Sequence, residues 1–407
     1  MNSGDVAWVS VATGLVMLMT PALGFFYAGL VRKKNLVSIL AQCFAIFAVV
    51  SLIWTLWGYS LSFGSSINGI IGDLSLFCMN SIEPTTVGRY APNIPELLYF
   101  AFEMMFAAIT PTLIIGAFAE RIKFRSLLIF TILWSTLIYA PVAHWVWNSG
   151  GWLRSLGAID FAGGLVVHVA AGFSALAAAL VVGKRKDFEK RHEFKPSNVP
   201  FVLLGAALLW FGWFGFNGGS AFAANEWAVS AIVATSLSAA AATSSWMGTE
   251  WVTKRKPSAV GMAVGGVCGL VAITPGSGYV SVPAAIVIGL VAGVLSNLVS
   301  NWRIVRTRID DALDVFACHG VGGIWGSIAT GLFAAKYINP AGADGLLYGN
   351  PSLLSAQCIA LVAVAAFAFA GSYLLLKLVS VFTPLRVSPE EEETGLDLSQ
   401  HGEEAFS

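Results

Sequence analysis

The sequence predicts an all-α membrane protein that crosses the bilayer many times. Hydrophobic residues make up 57% of the 407 residues and charged residues only 11%, whereas a soluble domain carries roughly 25% charged residues. This leaves too little polar surface to coat a water-facing globule of this size. Apolar runs near the 20 or so residues that a spanning helix needs recur along the chain, and the alternating pattern of a membrane β-barrel is absent.

Scanning for such runs predicts eleven transmembrane helices. The first is retained as a helix, because residues 1–10 contain no Lys or Arg and the run is too long for a signal peptide. The predicted helices lie near residues 6–30, 36–60, 97–119, 126–147, 161–182, 199–219, 227–249, 258–275, 279–300, 313–334 and 351–381.

The basic residues predict that the N-terminus is outside and the C-terminus inside. Of the 23 Lys and Arg residues, 20 lie in the connections after helices 1, 3, 5, 7 and 9 or in the C-terminal flank. Only Arg89, Arg154 and Lys336 lie on the opposite side. Basic flanks face the cytoplasm in multi-pass proteins, so the split also supports the helix count. The basic clusters are short and sit at helix ends, which argues against nucleic-acid binding.

Helices 1–5 and 6–10 are predicted to form an inverted 5+5 repeat, with helix 11 peripheral to it. Each half opens on a glycine- and aromatic-rich helix, at 24–29 and 212–219. Each half also closes on a helix that follows an aspartate and carries a histidine, and an odd number of helices per half inverts the second copy. These residues are Asp160 with His168, and Asp314 with His319.

Placing an ionisable residue inside a membrane costs free energy, so each such residue needs a structural or functional explanation. Each histidine could hydrogen-bond a backbone carbonyl and tighten packing, but two at matched positions favour a shared pore site. A neutral histidine pair presents one donor and one acceptor. Asp160 and Asp314 are expected to cap the helices that follow them, and Asp310 and Asp311 to form a cap or loop contact at the cytoplasmic end.

Trp147, at the end of helix 4, allows two interpretations. Composition favours an interfacial aromatic belt; a cation–π wall for a bound cation is the functional alternative. The five cysteines show no metal or redox spacing, so we expect them to pack as small apolar residues, and we expect no metal, no cofactor and no enzymatic activity.

The chain resembles the ammonium transporter (Amt/Mep/Rh) family, and within it the prokaryotic Amt branch. The resemblance runs from about Gly14 to Phe406. The motifs that carry it are PALGFFYAGL at 21–30, IGAFAER at 115–121, DFAGGLVVH at 160–168, GWFGFNGGS at 212–220 and DALDVFACHGVGG at 311–323. It implies a homotrimer in the inner cell membrane, with one pore in each subunit, that takes ammonium or its analogue methylammonium.

The resemblance also implies roles for particular residues. Ammonium would be recruited at an external aromatic site and deprotonated, and ammonia, with or without the proton, would pass through a hydrophobic pore lined by two histidines. The implied recruitment residues are Phe106, Trp147, Ser220, Phe102 and Asp160; the gate is Phe106 with Phe216; and the pore is lined by His168, His319 and Trp213.

The acidic segment after the last helix resembles the family's C-terminal regulatory tail, which couples to a PII-type signalling protein in many members. We therefore divide the chain into a membrane domain, 1–384, and a cytoplasmic tail, 385–407. The tail residues that carry the resemblance are Gly395, Asp397, His401, Gly402 and Glu403. Phe406 departs from the tyrosine that the family often has there.

Three functions remain open at this point. The first is ammonium transport. The second is an ammonium sensor with the same binding site and little or no flux, since some family members join this membrane domain to a signalling output. The third is an intramembrane serine protease with Ser220 as nucleophile and a membrane histidine as base.

Overall fold

The computed structural model describes residues 1–80 and 82–405, without the side chains of 191–193. Phe406, where the sequence departs from the family pattern, lies outside the described residues. The described chain is mostly helical, with one antiparallel strand pair, Ser66–Ile67 with Ile71–Gly72, in the connection after the second helix.

Twelve helices are labelled here in chain order. They are α1 (Ser3–Leu30), α2 (36–63), α3 (96–118), α4 (124–147), α5 (164–182), α6 (Val199–Gly219), α7 (Glu226–Lys254), α8 (Ala259–Ile273), α9 (Val282–Arg306), α10 (316–333), α11 (Pro351–Phe382) and α12 (Pro389–Thr394). Short helical turns occur at Lys33–Asn35, Phe77–Met79, Trp152–Ser155, Phe188–Glu193, Leu346–Tyr348 and Asp397–His401.

Within the described chain, nine helices are long and apolar enough to cross a membrane: α1 to α7, α9 and α11. The two other predicted spans form helices at their predicted positions, but both are shorter. A helix of 15 residues, the length of α8, reaches only about 22 Å, against the roughly 30 Å of a bilayer's hydrocarbon core. Nine apolar spans are therefore confirmed by length and composition.

Small residues set the packing of the two glycine-rich helices, α1 and α6, which lie along each other. A Cβ atom on Gly205 would collide with the backbone of Phe26, and one on Gly215 would lie 2.6 Å from the Cβ of Leu15. Without side chains at these positions the helix backbones approach closely, which is how membrane helices gain dispersion contacts in the absence of a hydrophobic driving force. The absence of a side chain at Gly289 allows the same close approach between α7 and α9.

The helices that carry the two histidines cross in close contact. A Cβ on Gly172 of α5 would collide with the backbone of Gly320 in α10. Both histidines lie in a widened π turn at the start of their helix, Gly164–Val169 and Phe316–Gly320. Such turns inside α-helices are rare and are frequent at functional sites.

The expectation that both Asp160 and Asp314 cap these helices is half wrong. The Asp160 carboxylate accepts N–H bonds from the four residues 163–166, at 2.7 to 3.3 Å. In the second half Asp311 has this role, accepting from the N–H groups of residues 315 and 316. Asp314 adopts a left-handed φ of 56° and turns to Arg303, whose Nε lies 2.8 Å from its carboxylate.

This correction brings the two halves into closer agreement. The capping aspartate now precedes the histidine by the same eight residues in each half, 160 to 168 and 311 to 319. The expectation that Asp310 and Asp311 form a cap and a loop contact is confirmed, since Asp310 binds Arg185 at 2.8 Å.

Buried charges join the connections after α1, α3, α5 and α9 at one face of the molecule, here called the basic face. The fully buried Arg121 donates to the carbonyls of residues 117, 119, 183 and 310, and burial lowers its pKa to about 10. Glu120 pairs with Arg32 at 2.8 Å. Burial alone would raise the pKa of Asp310, but hydrogen bonds from Arg185 and the nearby Arg121 hold it below the usual range.

The segment after α11 folds back onto this basic face. Its backbone bonds the connection between α3 and α4, with Lys123 N–H donating to the Leu385 carbonyl at 2.8 Å. The buried Glu392 accepts from the Lys186 N–H and from Arg386, each at 2.6 Å. The tail up to residue 405 is therefore an ordered part of this face.

Candidate functional site

One face of α3 leads from an open cavity to a closed lumen. Residues three or four apart share a helix face, and Tyr99, Glu103 and Phe106 line a cavity of about 250 Å³. Further along the same helix, Ile109 and Leu113 line a much smaller space around the histidines. We call the first space the vestibule and the second the lumen.

The vestibule contains four of the five residues assigned to ammonium recruitment: Phe106, Trp147, Ser220 and Asp160. The rings of Phe106 and Trp147 meet edge to face with centroids 6.0 Å apart, and the Trp147 indole N–H is fixed by the Asp160 carbonyl at 3.0 Å. The Ser220 hydroxyl donates to the Phe216 carbonyl at 2.8 Å, so its oxygen keeps acceptor capacity.

Phe102 and Asp160 support this site from behind. The Phe102 ring is fully buried and packs against Phe106 at 5.0 Å, outside the residues that line the vestibule. The Asp160 carboxylate is occupied by the four backbone N–H groups of the His168 turn. A carboxylate held in this way can still act on a cation through its electric field, which a low-dielectric setting strengthens.

Two stacked rings separate the vestibule from the lumen. Phe106 and Phe216 lie with centroids 4.1 Å apart and planes inclined by 28°. The Phe216 ring in turn stacks on His168 at 6.1 Å. Phe106 lines the vestibule and Phe216 lines the lumen, so a molecule that passes from one space to the other meets this stacked pair.

The two histidines meet inside the lumen. Their Nδ1 atoms lie 3.3 Å apart, so one ring donates a hydrogen to the other, and the Nε2 of His168 is buried with no hydrogen-bond partner among the described residues. Trp213 stacks on His168 at 5.6 Å and donates its indole N–H to Thr274 at 3.0 Å. Aromatic rings therefore pack against the histidine pair, and the Nε2 of His168 remains available as a hydrogen-bonding atom.

The lumen is narrow and apolar. Its volume is about 10 Å³, at the lower limit of the roughly 10–15 Å³ that a cavity needs to hold one water molecule. Apart from the histidines, its lining consists of aliphatic, Met, Phe and Trp side chains. Moving an ion into such a place costs tens of kcal/mol by Born solvation at low dielectric, whereas a neutral molecule of water's size avoids that cost.

The chain is similar to known proteins along nearly its whole length. The family model described as Ammonium Transporter Family matches residues 7–406. The chain belongs to the ammonium transporter family. It is 49% identical to ammonium transporter Amt1 of Archaeoglobus fulgidus, over the whole of both chains, and 45% identical to an ammonium transporter of Bacillus subtilis, over 100% of this chain and 99% of that one.

Solved structures from the ammonium transporter family share the fold. The crystal structure of Saccharomyces cerevisiae Mep2 superposes with a TM-score of 0.89 at 36% identity, covering 96% of this chain and 91% of that one. A structure described as a sensor Amt protein gives 0.90 at 32% identity, covering 98% of each chain. The fold of this chain is therefore shared with Mep2 and with a protein described as a sensor.

The five tail residues singled out from the family resemblance lie apart from this site, on the basic face. The Asp397 carboxylate accepts the Ser38 N–H at the start of α2 at 2.7 Å, and the His401 ring packs on Phe124 at 5.1 Å. Gly395 and Gly402 both have positive φ values, 106° and 69°, and Glu403 bonds the Asp397 carbonyl through its N–H.

Sequence reasoning missed Glu103, which the structure places in the vestibule. The signal was present, because an acidic residue inside an apolar run is unusual and lies three residues before Phe106. The protease hypothesis finds no support, since Ser220 bonds a backbone carbonyl and the two histidines contact each other.

Proposed function

We propose that this chain carries ammonium across the cytoplasmic membrane, with the vestibule as its recruitment site and the lumen as its pore. The observation that carries the proposal is a continuous series of contacts. It runs from Trp147 to Phe106 at 6.0 Å, to Phe216 at 4.1 Å, and to His168 at 6.1 Å. The family membership supplies the substrate class, ammonium.

In the vestibule, aromatic rings and oxygens replace part of the hydration shell of the ion. The Trp147 and Phe106 rings offer negative π faces, and the Ser220 oxygen accepts an N–H. Methylammonium carries the same charge and keeps N–H donors, so it serves as an analogue. Phe102 and Asp160 hold these groups in position.

At the phenylalanine gate, before it enters the lumen, the ion gives a proton to water in the vestibule and becomes ammonia. The charged form is heavily penalised in the apolar lumen, so neutral ammonia is the species that passes His168, His319 and Trp213. The open Nε2 edge of His168 can accept one of its N–H groups. Potassium has no proton to lose, and the same step therefore excludes it.

We place the protein in the inner cell membrane with eleven crossings, an inverted 5+5 repeat, a peripheral α11, the N-terminus outside and the C-terminus inside. The meeting of the connections after α1, α3, α5 and α9 at the basic face supports this alternation, because every second connection must share a side. A homotrimer and a PII-type partner for the tail, residues 385–407, follow from the family resemblance.

A sensor is the second candidate, and the likeness to the sensor Amt protein favours it. A sensor would bind ammonium in the same vestibule without passing it on. The stacked Phe106 and Phe216 rings, closed in this structure, are compatible with either outcome.

The test uses purified protein in proteoliposomes on a solid-supported membrane, with a pH-sensitive dye enclosed in a parallel sample. A transporter gives a sustained current or a sustained internal pH change after an ammonium pulse, depending on whether the proton follows. A brief binding transient with no change of internal pH would reject transport and leave the sensor.

A further inference from the structure

Glu103 is an acidic side chain that the mechanism above leaves unused. It lies on α3, one turn before the gate residue Phe106, and its side chain lines the vestibule. The residue is only 5% exposed. Its Oε2 atom is buried with no hydrogen-bond partner in the part of the chain that the structure describes.

Other buried carboxylates nearby are satisfied. Asp160 accepts four backbone N–H groups. Glu96, seven residues earlier on the same helix, accepts the Tyr59 hydroxyl at 2.5 Å and the Arg89 N–H at 2.7 Å. Both therefore have structural partners that explain their burial, and Glu103 does not.

Burying a carboxylate without a hydrogen-bond partner costs free energy. Such a group is stable where a bound ligand or a proton supplies the missing interaction. Arg154 also lines the vestibule, but its Nη1 donates to the Trp147 carbonyl at 2.6 Å. No ion pair involving Glu103 occurs among the described residues. The vestibule, a space of about 250 Å³, has room for a small cation beside this carboxylate.

We propose that Glu103 is a cation-binding residue of the vestibule, whose carboxylate accepts N–H bonds from ammonium beside the Trp147 and Phe106 rings. The inference rests on the proposed function, because it deepens the same recruitment site. A charge-assisted hydrogen bond to a carboxylate is stronger than one to a hydroxyl, so Glu103 contributes more affinity than Ser220.

Ammonium and a proton compete for the same carboxylate oxygens. When ammonium binds, a proton held by Glu103 leaves to the water of the vestibule, and when ammonium departs, the carboxyl can take a proton back. Ammonium affinity therefore falls as the pH falls, and this dependence belongs to one residue.

The tyrosines that face Glu103 do not contribute to the pH dependence of ammonium affinity in the range tested. Tyrosines titrate near pH 10 when unperturbed, above the range of the test. The titratable and charged groups around it are Tyr59, Tyr90, Tyr99, Tyr139, Tyr279, Asp160 and Arg154.

The experiment compares the wild type with Glu103→Gln, Glu103→Asp and the matched control Glu226→Gln. Glu226 is exposed at the start of α7 and contributes nothing to the vestibule lining. Ammonium chloride is titrated from pH 5.5 to 8 at constant ionic strength. Binding is followed by tryptophan fluorescence of the detergent-solubilised protein, and flux by initial methylammonium uptake into proteoliposomes.

We expect Glu103→Gln to raise the half-saturating ammonium concentration about tenfold at pH 7.5 and to abolish its pH dependence. Glu103→Asp keeps a carboxylate and should keep the pH dependence, and Glu226→Gln should match the wild type. Equal affinities and pH profiles in the wild type and Glu103→Gln would overturn the inference, as would equal losses in the Gln and Asp variants without a change of pH profile.

The same experiment separates this inference from the proposed function. Wild-type binding without uptake would reject transport but leave the comparison of affinities intact. Uptake with an unchanged pH profile in Glu103→Gln would keep transport and reject the role of Glu103. A wild type that shows no ammonium-dependent fluorescence change or uptake would reject both.

Discussion

The position of His168 depends on a single carboxylate. All four hydrogen bonds of Asp160 go to backbone N–H groups of one turn, residues 163–166, and that turn carries His168. Capping by an aspartate was predictable from its place before an apolar run. That the cap also shapes a π turn was not, because the widened turn depends on Gly163, whose φ is 106°, and on packing from other helices.

Asp160→Asn removes one of the two acceptor oxygens and turns an NH₂ group toward backbone donors. We expect a loss of about 2–4 kcal/mol of stability, since hydrogen bonds to a charged group are strong and the released N–H groups stay buried. Thermal unfolding in detergent measures it, with Asp344→Asn as the control, because Asp344 accepts a single N–H at the surface. Equal melting temperatures for the two variants would contradict this account.

Asp311, the matching cap in the second half, adds a dependence on pH. Burial, the largest cause, raises its pKa to about 6, with Arg303 opposing and Asp314 adding to the shift. The folded state therefore holds this proton more tightly than the unfolded chain, whose Asp titrates near pH 3.9. The stability that Asp311 contributes rises as the pH falls from 7 towards 4 and is lost as the pH rises through 6.

Asp311→Asn should remove this contribution. We expect the difference in stability between wild type and variant to grow by about 1–3 kcal/mol between pH 7 and pH 5, in favour of the wild type. Unfolding in detergent at a series of pH values measures it. A constant difference across this range would show that Asp311 keeps its ordinary titration in the folded state.

At the scale of elements, the crossing of α5 and α10 brings the two histidines together. The sequence showed both histidines and their apolar surroundings, and these predicted a shared lumen. Their Nδ1 contact and the crossing at Gly172 and Gly320 depend on contacts between residues far apart in the chain, which no local pattern contains. The wrong prediction of a cap at Asp314 also results from a contact that no local pattern contains. Arg303 on α9 binds the Asp314 carboxylate, which therefore does not cap the helix.

Gly172→Ala tests the crossing. The added methyl group meets the backbone of Gly320, which cannot move aside as a side chain can, so we expect α5 and α10 to separate at a cost of about 1–3 kcal/mol with a marked loss of methylammonium uptake. The control is Gly248→Ala in α7, where a Cβ meets nothing within 4 Å. That variant should be neutral or slightly stabilised, since alanine favours a helix; wild-type uptake in Gly172→Ala would refute the close crossing.

At the scale of the whole molecule, the basic face joins the tail to α2 and to the connections after α3 and α5. The basic clusters predicted which connections share a side, and the buried network of Arg121, Arg185 and Asp310 joins connections from that set. The sequence predicted eleven spans, and nine described helices have the length and composition of a span. The other two predicted spans, α8 and α10, are shorter helices.

Glu392→Gln should loosen the tail. Glu392 is buried and pairs with the partly exposed Arg386, so we expect part of the 3–5 kcal/mol that breaking a buried pair costs, with solvent around Arg386 reducing it. Faster cleavage of the tail by a protease specific for glutamate would measure the release. The control is Glu390→Gln, which removes one exposed cleavage site in the same segment; equal cleavage rates would contradict the anchoring role.

The central claim is that ammonium loses its proton before it crosses the lumen. Uptake of labelled methylammonium and of labelled rubidium, which stands in for potassium, can be measured side by side in the same proteoliposomes. The account predicts saturable methylammonium uptake and no rubidium uptake above that of protein-free liposomes, because an ion that cannot deprotonate cannot enter the apolar lumen. Rubidium uptake at a rate comparable to that of methylammonium would contradict it.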